Sequence, residues 1–162
     1  MYRMFYKKTE DIIEGKLVYR QGDYSFDFIP FSTDKFDTIV GEQSTTSLLI
    51  NTLQIEISIQ SKRLLYIWGY CPLFNYQEAD IPEIKFEDGE ITLLSDAALD
   101  IGVSMNISNG LKWSLYGDKK TGWSVVTYHD KWQNSKFIRI ANGCIVGLID
   151  MQISCLCLNP DT

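Results

Sequence analysis

Several signatures of enzymes and membrane proteins are missing from this sequence of 162 residues. No apolar run approaches the roughly 18 residues that a membrane-spanning helix requires. Residues 1–15 contain no hydrophobic segment followed by a small-residue cleavage site, so we expect a cytoplasmic protein without a secretory signal. The sequence also lacks a GxSxG, HExxH or GxxxxGK[ST] motif and a glycine-rich phosphate loop. We therefore predict no cofactor and no catalytic residue.

Histidine and cysteine are scarce, which argues against a metal site. His129 is the single histidine, and a lone histidine beside Asp130 is more often a surface residue than a general base. The 4 cysteines lie mostly in apolar strand patterns, and we interpret them as buried free thiols. Cys155 and Cys157 could chelate together, but no second close-spaced pair completes a zinc site. We predict no metal site.

Basic residues are outnumbered by acidic ones. The chain has 15 lysines and arginines against 21 aspartates and glutamates, a formal charge of −6. A protein that binds nucleic acid needs a basic face for the phosphates, so this balance disfavours that class. It favours a basic partner instead.

Short alternating segments are abundant, and the clearest lies within residues 52–71. Apolar and polar residues alternate over 52–60, which is typical of a half-buried strand, and a second strand follows the turn at Ser61 and Lys62. A two-residue loop sets the register and places Trp68 and Tyr70 on the core face. The predicted pairs are Ile59 with Leu64, Ile57 with Tyr66, Ile55 with Trp68 and Leu53 with Tyr70.

Turn signals divide the rest of the chain into further strands. We predict hairpins of 17–20 with 24–29, 101–107 with 111–115 across a three-residue loop, and a strand ending at 117 with 123–128. We also predict strands over 137–140, 144–148 and 151–158, a short strand near 38–40, and one helical turn near 9–13. Roughly ten short strands with little helix indicate an all-β fold, an antiparallel sandwich or barrel. No linker or repeat divides it, so we predict a single β domain over residues 1–162.

An acidic segment with aromatic residues before it follows Pro72. Within it, Asp88-Gly89 predicts a type I′ hairpin turn that pairs Ile84 with Leu93 and Phe86 with Ile91. That register also sets Glu87 across from Glu90, an unfavourable like-charge pair that suggests a use. Exposed aromatic residues beside acids are typical of protein interfaces. The predicted partner-binding residues are Phe74, Tyr76, Glu78, Asp80, Glu83, Glu87, Asp88 and Glu90.

In size, acidity, strand content and its closing stretch 147–160, the chain resembles the bacterial immunity proteins that neutralise toxin domains, including those of contact-dependent inhibition systems. The resemblance is one of overall character. It implies a tight one-to-one complex that blocks the active site of a cognate toxin, often a basic nuclease. An acidic surface would then mimic phosphate and steer association.

Two alternatives remain open at this stage. A carrier of a small ligand or carbohydrate would hold an apolar molecule in a barrel interior lined by Trp113, Trp123 and Tyr128. A hydrolase would use a carboxylate pair such as Glu87 with Glu90 or Asp80 with Glu83. The acidic segment is expected to be wet, however, and a tuned catalytic acid needs an apolar pocket.

Overall fold

The alternating segments fold into strands that account for about half of the protein. The computed structural model describes residues 2–162, of which 49% are strand and 9% helix. The strands are β1 (Arg3–Lys8), β2 (Gly15–Arg20), β3 (Ser25–Pro30), β4 (Thr45–Ile50), β5 (Leu53–Ser58), β6 (Leu64–Tyr70), β7 (Gln77–Glu78), β8 (Phe86–Leu94), β9 (Met105–Asn106), β10 (Ser114–Gly117), β11 (Ser124–Thr127), β12 (Lys136–Ala141), β13 (Cys144–Ile149) and β14 (Gln152–Leu158). The helix α1 spans Thr33–Val40, and short 3-10 helices span Leu73–Asn75 and Trp132–Asn134.

These strands form two mixed sheets, and within residues 2–162 neither closes into a barrel. The eight-stranded sheet has the order β1-β8-β12-β13-β14-β11-β10-β7, and the six-stranded sheet has the order β2-β3-β6-β5-β4-β9. Most neighbours are antiparallel, as predicted, but β7 with β10, β8 with β12 and β4 with β9 are parallel. Parallel neighbours need long crossover connections, which the irregular segments 79–85, 95–104 and 128–135 help to provide.

The main core combines side chains from both sheets. Ile55 and Ile67 of the six-stranded sheet belong to the same buried cluster as Ile91, Val146 and Leu156 of the eight-stranded sheet. A second, smaller core covers the other face of the eight-stranded sheet, and we call it the outer core. Its buried residues are Ile81, Ile84, Trp123, Val125, Ile145, Cys155 and Cys157. Strands β11, β13 and β14 are therefore buried on both faces, which explains why the sequences of β13 and β14 are mostly apolar and why the polar residues of β11 are small.

Strands β5 and β6 pair as a hairpin, but in a different register from the predicted one. Ile55 lies opposite Ile67 and not Trp68, and Leu64 lies opposite Ile57. A bulge at Leu65 lets the consecutive Leu64 and Leu65 both be buried. The prediction that Trp68 and Tyr70 are core residues is wrong, because the changed register leaves Trp68 half-buried and Tyr70 exposed.

Other predicted hairpins are confirmed. β2 pairs with β3, β10 with β11, and β12, β13 and β14 follow one another as antiparallel neighbours. Phe26 and Phe28 are buried, as their alternation predicts. Tyr24 is an exception, because it lies in the turn with a positive φ of 51° and is exposed.

The hairpin predicted at Asp88-Gly89 is wrong, because β8 continues through both residues as one nine-residue strand. Gly89 permits a close approach here and not a turn. A Cβ atom on Gly89 would lie 2.5 Å from Cε2 of Tyr6 in β1 and 2.9 Å from Cγ2 of Ile138 in β12. Glu87 and Glu90 are therefore not cross-strand partners.

Three smaller predictions are also wrong. Of the strand predicted over 101–107, only β9 forms, and it pairs with β4 and not with 111–115. The strand predicted near 38–40 is part of α1, where the hydroxyl of Ser32 caps the N-terminus by accepting the N–H of Lys35 at 3.2 Å. The segment 9–13 forms no helical turn, and Ile13 makes an isolated bridge with Ala141.

Candidate functional site

The eight predicted partner-binding residues do not form one surface. Glu78 lies in β7, at one edge of the eight-stranded sheet, whereas Glu87, Asp88 and Glu90 lie in β8, next to the other edge. Five strands, β12, β13, β14, β11 and β10, separate β8 from β7. Six inter-strand spacings of about 4.8 Å each place the two groups about 29 Å apart. Each group has to be considered by itself.

Two carboxylates of β8, those of Glu87 and Asp88, accept hydrogen bonds from side chains of the neighbouring strands. Glu87 accepts hydrogen bonds from the hydroxyl of Tyr6 at 2.7 Å and from the ammonium of Lys136. Asp88 accepts two from the guanidinium of Arg139, at 2.8 and 3.1 Å. The bond from Lys136, followed by that from Tyr6, lowers the pKa of Glu87 below its ordinary value. These acids therefore join β8 to β1 and β12.

The third β8 carboxylate is also paired. Glu90 lies 3.1 Å from Nη1 of Arg63 and 3.8 Å from Nζ of Lys7. The guanidinium of Arg63 is mostly buried, and burial lowers its pKa although Glu90 acts in the opposite direction. The interpretation of Glu87, Asp88 and Glu90 as acids at a wet hairpin tip is thus wrong, since all three have cationic partners within the fold.

Between the two groups, residues 79–85 cross the outer face of the eight-stranded sheet, and we call them the crossing segment. Ile81 and Ile84 are 3% and 5% exposed and belong to the outer core with Trp123. Asp80 and Glu83, which directly precede these two isoleucines in the sequence, are exposed. The crossing segment thus presents carboxylates on a backbone that is anchored by apolar side chains.

Asp118, in the loop between β10 and β11, holds the start of the crossing segment. Its Oδ2 accepts the N–H of Ile81 at 2.9 Å, and its Oδ1 accepts the N–H of Lys120 at 2.9 Å. The bond from Ile81, the larger effect, lowers the pKa of Asp118 below its ordinary value. The sequence predicted a hairpin loop between residues 117 and 123, which contains Asp118, but it did not reveal that Asp118 binds the crossing segment.

Tyr76 and Glu78 lie at the β7 edge. The ring of Tyr76 covers Gly117, since a Cβ atom on that glycine would lie 1.8 Å from Cδ2 of Tyr76. Glu78 forms a 3.4 Å ion pair with Lys119, and both side chains are about three-quarters exposed. Tyr76 first, and Glu78 second, raise the pKa of Lys119. Tyr76 is thus a packing residue of this edge, whereas the carboxylate of Glu78 is accessible.

Phe74 belongs to a group of exposed aromatic residues. Its ring is 69% exposed and lies edge-on to Tyr24, with 5.0 Å between ring centroids. Tyr24 and Tyr70 are each 46% exposed, and the N–H of Cys71, next to Tyr70, donates to the carbonyl of Tyr24 at 2.8 Å. We call Tyr24, Tyr70 and Phe74 the aromatic patch. The predicted register assigned Tyr70 to the core, and alternation with Phe26 and Phe28 assigned Tyr24 to it, so the sequence did not reveal that both are exposed.

His129 and the close-spaced cysteines Cys155 and Cys157, which the sequence analysis considered for catalysis and metal binding, have partners within the fold. Nδ1 of His129 accepts the N–H of Lys131 at 3.1 Å and lies 3.6 Å from Asp130. The thiols of Cys155 and Cys157 lie 3.8 Å apart in the outer core. In the part of the chain that the structure describes, no group of three or more histidine, cysteine, aspartate or glutamate residues could hold a metal ion.

The barrel interior that a carrier would need is not formed. Trp113 and Tyr128 contact each other, with 4.6 Å between ring centroids, and belong to the main core. Trp123 belongs to the outer core, on the opposite face of the eight-stranded sheet. The three aromatic residues therefore do not line one cavity.

None of the helices in residues 2–162 has both the length and the apolar character needed to cross a membrane. Comparisons with protein-family models, with curated proteins and with solved structures found no match.

Proposed function

We propose that this protein is a protein-binding module that inhibits a basic partner, in the manner of the immunity proteins that it resembles. The partner would be a basic toxin domain, for example a nuclease, that the aromatic patch and the crossing segment occlude. In this proposal the two sheets form a sandwich that serves as a rigid support, and the protein acts in the cytoplasm. The observation that carries the proposal is the exposed pair of Phe74 and Tyr24, because Phe74 is followed within 4 to 9 residues by the accessible carboxylates Glu78, Asp80 and Glu83.

The aromatic patch supplies the apolar part of the proposed interface. Phe74 leaves more than two-thirds of its side chain in water, and burying such a ring under a partner contributes about 1.5–3 kcal/mol. Tyrosine and phenylalanine are enriched in the buried centres of protein interfaces, and tyrosine is also enriched among the residues that contribute most of the binding energy. A cluster of three exposed aromatic residues at neighbouring strand ends therefore supports a docking role.

The exposed carboxylates of Glu78, Asp80 and Glu83 supply the negative charge of the proposed interface. Asp80 and Glu83 have no ion pair among the residues that the structure describes. The exposed pair of Glu78 with Lys119 is of the weak kind that a partner's lysine or arginine can replace. These acids would steer a basic partner and speed association. The proposed surface thus keeps Phe74, Glu78, Asp80 and Glu83 of the predicted set and adds Tyr24 and Tyr70.

The experiment is a protection assay with the product of the gene immediately upstream, where the toxin of an immunity protein is expected. We expect that product to be toxic when expressed alone and harmless when this protein is coexpressed. The double variant Phe74→Ala with Glu83→Lys should lose protection, and with purified proteins it should slow association and flatten its salt dependence. A suitable control is Asp130→Lys, which makes the same change of charge at an exposed position outside the surface.

Two results would contradict the proposal. An upstream product that is harmless by itself, or whose toxicity this protein does not change, would reject the immunity function. Full protection by the Phe74 and Glu83 variant, with an unchanged association rate, would reject this surface.

A further inference from the structure

A groove lies between α1, residues 10–14 and Arg63. Its volume is about 610 Å³, within the range of 300–1,000 Å³ that is typical of small-molecule sites. Gly15 and Leu64 begin β2 and β6 beside the groove, whereas Tyr70 ends β6 in the aromatic patch. A seven-residue strand is about 20 Å long, so the groove is separate from the proposed partner surface.

The groove combines an apolar floor with an exposed aromatic rim. Ile12 is buried, and Phe36 and Ile39 of α1 are half-buried, so together they offer an apolar surface. Phe31, which follows the end of β3, is 72% exposed and lines the same groove. An exposed ring beside a concave apolar surface is a feature of ligand sites, because it can close over a bound molecule.

The charges around this floor are mainly negative. Glu10, Asp11 and Asp34 line the groove and have no ion pair in the described part of the chain. Two nitrogens of the Arg63 guanidinium have partners in the fold, since Nη1 lies 3.1 Å from Glu90 and Nη2 donates to the carbonyl of Asp11, whereas the buried Nε has no hydrogen-bond partner among the described residues. The groove therefore has three carboxylates, those of Glu10, Asp11 and Asp34, that have no cationic partner among the described residues.

One ammonium group already lies in this groove. Nζ of Lys35 is 3.9 Å from Oε2 of Glu14, and both side chains are well exposed, at 78% and 62%. At that exposure the ion pair contributes little, so Lys35 can move aside for a ligand cation. Lys35 and Glu14 thus place an alkylammonium group within ion-pair distance of a carboxylate at the exposed rim of the groove.

We propose that the groove binds a small organic cation, an ammonium or guanidinium group joined to an apolar body. The cation contacts the carboxylates of Asp34 and Glu14 and the face of Phe31, which attracts cations through its ring quadrupole. The apolar body lies on Ile12, Phe36 and Ile39. This inference does not rest on the proposed function, because it concerns different residues at the other end of the strands.

The experiment compares three probes of the same shape and different charge: 2-phenylethylamine, 2-phenylethanol and 3-phenylpropanoate. Calorimetric titration of the full chain at low salt is expected to show the amine binding at least tenfold more tightly than the alcohol and no binding of the acid. Equal binding of amine and alcohol, or no binding of the amine, would overturn the proposal.

Matched variants locate the binding. Asp34→Asn and Phe31→Ser change exposed residues of the groove, and each should weaken amine binding at least threefold; Phe31→Ser should leave the thermal unfolding midpoint unchanged, and Asp34→Asn should lower it only slightly because Asp34 lies in the first turn of α1. Asp130→Asn removes an exposed carboxylate outside the groove and should leave binding unchanged. Equal affinity of all variants would place the amine elsewhere and reject this site. A lysine-containing tripeptide that bound more than tenfold tighter than the amine would also reject it, in favour of a protein ligand.

Discussion

The carboxylate of Asp118 accepts the backbone N–H of Ile81 at 2.9 Å and thereby ties the loop between β10 and β11 to the crossing segment. Ile81 is at the same time buried in the outer core. A hydrogen bond and an apolar anchor thus act on one residue. Together they fix where the crossing segment begins, and with it the positions of Asp80 and Glu83.

The first prediction concerns this anchor. Replacing Asp118 with alanine removes the acceptor for two backbone N–H groups, and an unpaired N–H opens more readily to solvent. We expect severalfold faster amide hydrogen exchange in the crossing segment, with little change in β12 and β13. The control is Asp80→Ala, which removes a neighbouring carboxylate that has no ion pair in residues 2–162. Unchanged exchange at Ile81 would show that the outer core alone holds the segment.

Much of the fold was predictable wherever the pattern along one strand decides the structure. Phe26 and Phe28 alternate with polar residues and are buried, and the closing strands β12, β13 and β14 form between their turns as predicted. Gly89 shows why other elements were missed. The Asp88-Gly89 pair has the local chemistry of a turn, but Tyr6 and Ile138 press against the glycine from two neighbouring strands. The need for a glycine at this position comes from residues that are distant in the sequence, so the residues around Gly89 do not indicate it.

The candidate site was predictable only in part, for a related reason. The composition around Phe74 correctly indicated that Phe74, Glu78, Asp80 and Glu83 are exposed, whereas Tyr76 is half-buried against Gly117. Sequence distance, however, made Glu78 and Glu87 neighbours, whereas the crossing segment carries the chain from one end of a sheet to the other. The cations that compensate Glu87 and Asp88 come from β12, some fifty residues later, so local charge counts could not reveal them.

The second prediction concerns Asp88 and Arg139. Their two hydrogen bonds are partly shielded from water and join the parallel strands β8 and β12. Asp88→Ala should lower the free energy of unfolding by about 1 kcal/mol, the typical size for a partly exposed paired charge. Urea denaturation measures this, and Asp80→Ala should cost less than about 0.5 kcal/mol. A double-mutant cycle with Arg139→Ala separates the pair from other effects, and a coupling energy of zero would argue against the pair.

The third prediction is a pH dependence at Glu87. Its pKa is lowered in the fold by bonds from Lys136 and then Tyr6, so its contribution to stability is present above the unfolded pKa of about 4.3 and is lost as the pH falls through the lower folded value. The difference in melting temperature between the wild type and Glu87→Gln should therefore be constant near neutral pH and shrink in acid. A difference that persisted undiminished at pH 2 would indicate that Glu87 acts through packing and not through its charge.

The fourth prediction tests the β7 edge. A methyl group on Gly117 would overlap the ring of Tyr76, at 1.8 Å from Cδ2. Gly117→Ala should therefore displace Tyr76, weaken the pairing of β7 with β10 and destabilise the fold by about 1–3 kcal/mol. The matched control is Gly22→Ala, where nothing lies within 4 Å of the added atom. If the two variants were equally stable, the ring of Tyr76 would have to be free to move without cost.

The last prediction concerns the thiols. All four cysteines are free and buried, and burial raises the pKa of Cys71 and of Cys144 to about 12. A thiol with that pKa is ionised in about one molecule in ten thousand at pH 8, and only the thiolate reacts readily. Ellman's reagent at pH 8 should thus detect almost no thiol in the native protein and four after unfolding in guanidinium chloride. Rapid reaction of one thiol in the native state would mean that its strand opens to solvent, and peptide mapping would identify that strand.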